Sequence, residues 1–304
     1  AFAVFLTYSK IKNNSKEIID YQEKIKNSEM ELIKYIFYDE KGLLRNNKFI
    51  AKSILEIVVA LTSRNNQDTN FNFLLFYLSL ANFLDPNFDE TDYYIAKIYQ
   101  ILENYSKAEF FYNKVNLNHR LYIDSQRNIA INKSKMGLPF EGEKKLLNLL
   151  NNYENNNSLR LALADLYRVE EKYREAIQHY NKIIETQDSS SPEYWKLFYL
   201  RGICYERMKQ WDLAEVDFLL SLKINPDSPN VLNYLAYGWL ERDKNIDQAM
   251  EMLEQAYNAN PDSYYILDSL AWAYFKKNQF QKAAKLMEEV IEMVPGEVIS
   301  LDHL

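Results

Sequence analysis

The chain has 304 residues, 47% of them hydrophobic and 14% aromatic, with only 6 Gly and 7 Pro. That length exceeds one compact core of ordinary size, and so few turn-forming residues argue against many short strands. A net charge of −7 without any basic stripe disfavours nucleic acid, whose affinity is carried by Lys and Arg on phosphates.

In chain order, Ala1 to Leu6 is apolar but short, and no basic stretch precedes it. It reads as the end of a helix from an incomplete repeat rather than an export-signal remnant. Residues 1–27 resemble the remains of one helical unit, broken near Asn13 to Ser15. A helix is predicted around 28–38, and the polar stretch Asp39 to Asn47, with Gly42, reads as a joint. Residues 1–49 thus form a partial, divergent region ahead of a helical array over 50–304. Within that array, 50–86 is a divergent helix pair with Asn65 to Asn70 in its turn. No run reaches the roughly 18 apolar residues of a membrane-spanning helix.

Beyond residue 86 small residues recur: Ala96, Ala130, Ala164, Gly202, Ala236 and Ala271, at gaps of 34, 34, 38, 34 and 35. A second series follows about twelve positions behind: Ala108, Gly142, Ala176, Ala214, Ala249 and Ala283. A third, three positions after the first, is Tyr99, Lys133, Tyr167, Tyr205, Trp239 and Tyr274. A period near 34 is the signature of stacked helix–turn–helix units. The units are 89–122, 123–156, 157–190, 195–228, 229–263 and 264–297, with the start of another at 298–304.

The 264–297 unit illustrates the pattern. Leu267, Leu270, Ala271 and Tyr274 form one helical stripe, Lys276 to Gln279 a polar turn, and Ala283, Leu286, Met287, Val290 and Ile291 a second stripe. Ala271 and Ala283 belong where two helix axes approach within about 8–10 Å. Pro86, Pro226, Pro261 and Pro295 each close a second helix, and Ser228 before Pro229 reads as an N-cap. The gap of 38 implies an insertion at Ser189 to Pro192, and the gap of 35 one extra residue at Asp243 to Ile246. The next small residue would fall at 305, after the last residue. The chain is therefore expected to be a fragment of a longer array, whose uncapped apolar end could stack on another copy.

At these residues the chain resembles the tetratricopeptide repeat (TPR) family. The unit from Trp195 supplies Phe198, Gly202, Tyr205, Trp211, Ala214, Phe218 and Pro226, and the unit from Asn157 supplies Ala164, Tyr167, Tyr173, Ala176 and Tyr180. Lys133 and Pro139 depart from the pattern in the 123–156 unit, which is expected to pack most loosely. The blocks Val231 to Ala236, Asp268 to Trp272 and Asp302 to Leu304 look like a bacterial subgroup of long arrays, often exported to the envelope. Location stays open between envelope, periplasm and cytoplasm.

The resemblance implies an all-α, right-handed superhelical α-solenoid acting as a non-catalytic protein–protein interaction scaffold. A partner protein or peptide segment would lie in its concave groove, lined by first helices. The N-terminal half of that groove would present Tyr93, Lys97, Asp124, Arg127, Asp165 and Arg168. The C-terminal half would present Tyr199, Ile203, Glu206, Asn233, Tyr237, Tyr265, Asp268, Trp272 and Phe275, and aromatics of this kind dominate interface hot spots. The family's clamp for a C-terminal carboxylate is not reproduced: its positions hold Tyr93, Lys97, Asn128, Ser158 and Ala162. Two alternatives remain, a substrate-holding segment of a larger enzyme and a self-assembling scaffold.

Chemistry is not expected. His119, His179 and His303 are too scattered for a ligand set, and Gly is too sparse for a phosphate loop. Cys204, between Ile203 and Tyr205, reads as a small buried hydrophobe. No cofactor, metal or catalytic residue is assigned.

Overall fold

The computed structural model describes residues 47–62 and 70–294. The expectations for residues 1–46, the turn at 65–69, the helix stop at Pro295 and the further unit at 298–304 lie outside the described residues. The elements are α1 Asn47–Thr62, α2 Phe71–Leu84, α3 Asp89–Ile101, α4 Tyr105–Tyr112, α5 Tyr122–Lys135, α6 Pro139–Asn152, α7 Asn157–Val169, α8 Tyr173–Thr186, α9 Tyr194–Arg207, α10 Trp211–Ile224, α11 Pro229–Leu240, α12 Ile246–Ala259, α13 Tyr264–Lys276 and α14 Phe280–Met293. Among the described residues there is no strand. Two compact units divide between Lys145 and Leu146, inside α6. In the first unit α1 to α5 pack in sequential contact, and in the second α7 to α14 do the same, with α11 also against α13. The architecture is an all-α solenoid of helical repeats.

The period begins in local turn chemistry. Each first helix from α3 onward ends in a left-handed residue: Glu103, Gly137, Glu171, Lys209, Asp243 and Asn278, with φ between 46° and 78° at these turns and at Asn245. The following N–H reaches back to the third-series carbonyl, as in Lys172 N–H to Tyr167 O at 2.8 Å and Gln279 N–H to Tyr274 O at 2.9 Å. The left-handed residue's own N–H bonds one turn back, Lys209 to Glu206 O at 2.8 Å. This double bond pattern is the Schellman C-cap, which satisfies the orphan carbonyls of a helix end. Five of these six positions are not glycine, although an L-residue there costs of order 1–3 kcal/mol. The tight turn they permit sends the second helix back along the first.

Small residues then decide how closely the pair approaches. Ala96, Ala130, Ala164 and Ala236 in first helices, and Ala108, Ala176, Ala214 and Ala249 in second helices, are fully buried. A methyl at Gly202 would stand 2.7 Å from the Phe218 ring, so glycine lets α9 rest on α10. Around this contact Phe218, Leu235, Leu240 and Leu253 are fully buried, with Trp211 and Trp239 beside them. The two fully buried tyrosines are satisfied at their polar tips: Tyr112 OH donates to Gln100 Oε1 at 2.8 Å, and Tyr180 OH to Asp165 Oδ1 at 2.7 Å.

Some expectations change in detail. Ser228 does precede Pro229 at the start of α11, but its side chain makes no cap hydrogen bond. Caps of that kind are made instead by Asn70, Asn104 and Asn156. Lys133 replaces the ring of its rung with charge, its Nζ lying 3.2 Å from Glu109 and 3.4 Å from Glu141. A polar element missed in the sequence lies between α9 and α10. Arg201 forks onto Asp217, Nη2 to Oδ1 at 2.6 Å and Nε to Oδ2 at 2.8 Å, and Asp217 is 2% exposed. Burial pushes the Asp217 carboxyl up while Arg201 pulls it down.

Candidate functional site

The first helices of the second unit carry most of the residues assigned to a groove, and burial sorts them. Ile203, Asn233 and Asp268 are only 7–8% exposed. They pack into the stack instead of presenting themselves to a partner, because positions counted as open from one helix alone are closed by the helices packed around it. Tyr265 and Phe275 are exposed, whereas Tyr199, Glu206, Tyr237, Trp272 and Arg168 are half-buried.

Three clusters result. On α9 and α11 the Tyr199 ring meets Tyr234 edge-on at 5.6 Å and lies 6.3 Å from both Trp195 and Phe218. Tyr199 is thus an anchored wall, and burial raises its phenol. On α13 Trp272 and Phe275 stack at 5.1 Å with 6° between planes, and Lys276 Nζ sits 5.2 Å from the Trp272 ring. With Phe280, Ala283, Ala284 and Met287 they line a cavity of ≈ 200 Å³. Tyr265 OH is held by Asn230 Oδ1 at 2.8 Å. Arg168 belongs to α7, where it pairs with Asp165 at 3.5 Å.

Between α9, α10 and α11 opens a larger cleft of ≈ 530 Å³, lined by Glu206, Arg207, Trp211, Tyr234, Tyr237, Gly238, Glu241 and Arg242. Within it, burial first, then Glu241, Asp268 and Glu206, push the Tyr237 phenol up to about 12. Of this lining the sequence assigns only Glu206 and Tyr237 to the groove. Arg242 was missed; its guanidinium covers the Trp211 ring at 4.1 Å and donates to Gly238 O at 2.9 Å. Gly238, isolated inside a helical pattern, was the available signal for such a close approach.

Arg127 lies in the first unit, so it belongs to a separate cavity. Tyr93, Lys97, Gln100, Ile101, Asp124, Asn128 and Lys135 join it around ≈ 310 Å³. Tyr93 OH donates to Asp124 Oδ2 at 2.5 Å, Arg127 pairs with Asp124 at 2.8 Å, and Asn128 donates to Tyr112 OH at 3.2 Å. Residues with chemical potential are quenched by packing. Cys204 is fully buried, and burial pushes its thiol up to about 12. His179 stacks on Tyr167 at 5.6 Å, and burial and Arg160 lower its pKa.

Stacked helix hairpins with an aromatic-lined first-helix face define a helical-repeat interaction scaffold. Residues 161–229 and 240–301 each match a family model described as tetratricopeptide repeat. Both stretches are therefore tetratricopeptide repeats, a family that is generally non-catalytic and whose members bind protein or peptide partners. A tetratricopeptide repeat protein from Parabacteroides merdae superposes with a TM-score of 0.60 at 14% identity, over 84% of this chain and 98% of that one. A chain of the APC/C hetero-tetramer Cut9-Hcn1 gives 0.57 at 15% identity, over 84% and 52%. PilF of Pseudomonas aeruginosa gives 0.50 at 15%, over 84% and 97%. At such identities the likeness is one of fold. No helix among the described residues is long and apolar enough to cross a membrane.

Proposed function

We propose that the first-helix face of the second unit, from Tyr199 to Phe275, receives a segment of a partner protein, and that the chain contributes no catalysis of its own. One observation carries this reading: an open cleft between α9, α10 and α11 and a stacked aromatic pair on α13 occur on successive first helices of one unit. Exposed or half-open rings backed by a rigid stack give contact area at little entropic cost, as interface hot spots require. The net charge of −7 supports a protein partner over nucleic acid. The test replaces Tyr237, Trp272 and Phe275 by Ala, after the partner has been captured from the source organism and purified. Binding of that partner should be lost while the helical circular dichroism is retained. Undiminished binding by the folded variant would sink the assignment.

A further inference from the structure

The outward face of α10 differs from that of every other second helix in its unit. Its exposed residues are Leu213, Val216, Leu219, Leu220 and Ile224, with charge only at the two ends, Asp212 in the first turn and Lys223 in the last. Val216 is 54% and Leu213 49% exposed. The buried alanines Ala176, Ala214, Ala249 and Ala283 put the helices in common register. At the register of Leu213, Val216 and Leu220, α8 carries Glu175, Gln178 and Lys182, and α12 carries Gln248, Glu251 and Gln255. On α14 the same register holds Lys282, Lys285 and Glu289. A second helix needs polar residues there for solubility, so a contiguous apolar face at this one place marks a contact surface.

We propose that α10 pairs antiparallel with α10 of a second copy, across a two-fold axis crossing the helix midway between Val216 and Leu220. The face is self-complementary about that point. Val216 meets Leu220 of the other copy, Leu213 and Ile224 flank them, and Asp212 comes opposite Lys223. Asp212 and Lys223 make no ion pair with other described residues, so both remain available. A parallel pairing would set Asp212 against Asp212 and Lys223 against Lys223 and align the helix dipoles, so charge selects the antiparallel form. A lipid surface calls for basic flanks, and here one of the two flanking charges is acidic. One helix face per copy falls below the size of a permanent interface, so the dimer dissociates on dilution. This surface is separate from the partner-binding face and does not depend on it.

The experiment is sedimentation equilibrium of the whole chain over a wide concentration range. The unaltered protein should pass from monomer to dimer, and Leu213→Glu with Val216→Glu should remain monomeric with unchanged circular dichroism. Asp212→Lys alone and Lys223→Asp alone should each weaken the dimer roughly tenfold, the double variant should restore it, and a mixture of the two single variants should form heterodimers preferentially. A monomer at every concentration would overturn the proposal, whether the face is then found to bind lipid vesicles, a foreign helix or another segment of its own chain. So would a dimer indifferent to the charge exchange.

Discussion

Replacing Gly238 by Ala tests the packing of the second unit against helix propensity, because the two predict opposite signs. Propensity alone favours Ala in a helix interior by about 1 kcal/mol. The added methyl, however, would stand 1.9 Å from Trp211 Cη2 and 2.1 Å from Cζ3. Carbon atoms need roughly 3.5 Å, so the indole must retreat by about 1.5 Å. Trp211 is buried, with the Arg242 guanidinium on its ring. Retreat therefore disturbs a packed core, at about 1–3 kcal/mol, and the cation–π contact, at about 0.5–1 kcal/mol. The expected net result is destabilisation by roughly 1–2 kcal/mol. Urea unfolding followed by circular dichroism measures it, and a second background makes it decisive. In Trp211→Leu the obstruction is gone, so Gly238→Ala should turn stabilising by up to about 1 kcal/mol. Stabilisation in the original background, or no change of sign between backgrounds, would refute the reasoning.

Three further outcomes follow from buried polar and titratable groups. Asp217→Ala strips Arg201 of its counter-charge, leaving it only the bond to Asn181 Oδ1 at 2.6 Å, and should cost about 3–5 kcal/mol in the same assay, whereas Arg201→Leu with Asp217→Leu should recover most of it. Alkaline pH should unfold the chain: Cys204 and Tyr237, ordinarily 9.0 and 10.0, are both raised to about 12. The folded state then holds more protons than the unfolded one, so their contribution is complete below about pH 9 and fades as pH climbs towards 12. A pH titration of urea midpoints checks the slope, and iodoacetamide at pH 8 should label native Cys204 far more slowly than the unfolded chain.

Tyr167, Ala164 and Ala176 show what was legible in the residue order. Helix hairpin geometry repeats through local rules: the spacing of apolar residues, a small residue at each crossing, a ring or stem one turn further on. Local rules survive in a one-dimensional pattern, so class, period and family could be read directly. The left-handed turns could not, because Glu171 and Lys209 give no glycine signal and the conformation is imposed by the helices on either side.

Exposure was decided only in three dimensions. Ile203, Asn233 and Asp268 occupy register positions equivalent to open ones, yet all three are buried in the stack. Tyr265 and Phe275 stay open, and Arg127 falls in the other unit. The apolar face of α10 was invisible for the same reason, since Leu213 and Val216 look like core until the neighbours are seen to leave them uncovered. Chain order dictates which side a residue takes on its own helix; what lies against that side is dictated by contacts between helices, which no single stretch of sequence contains.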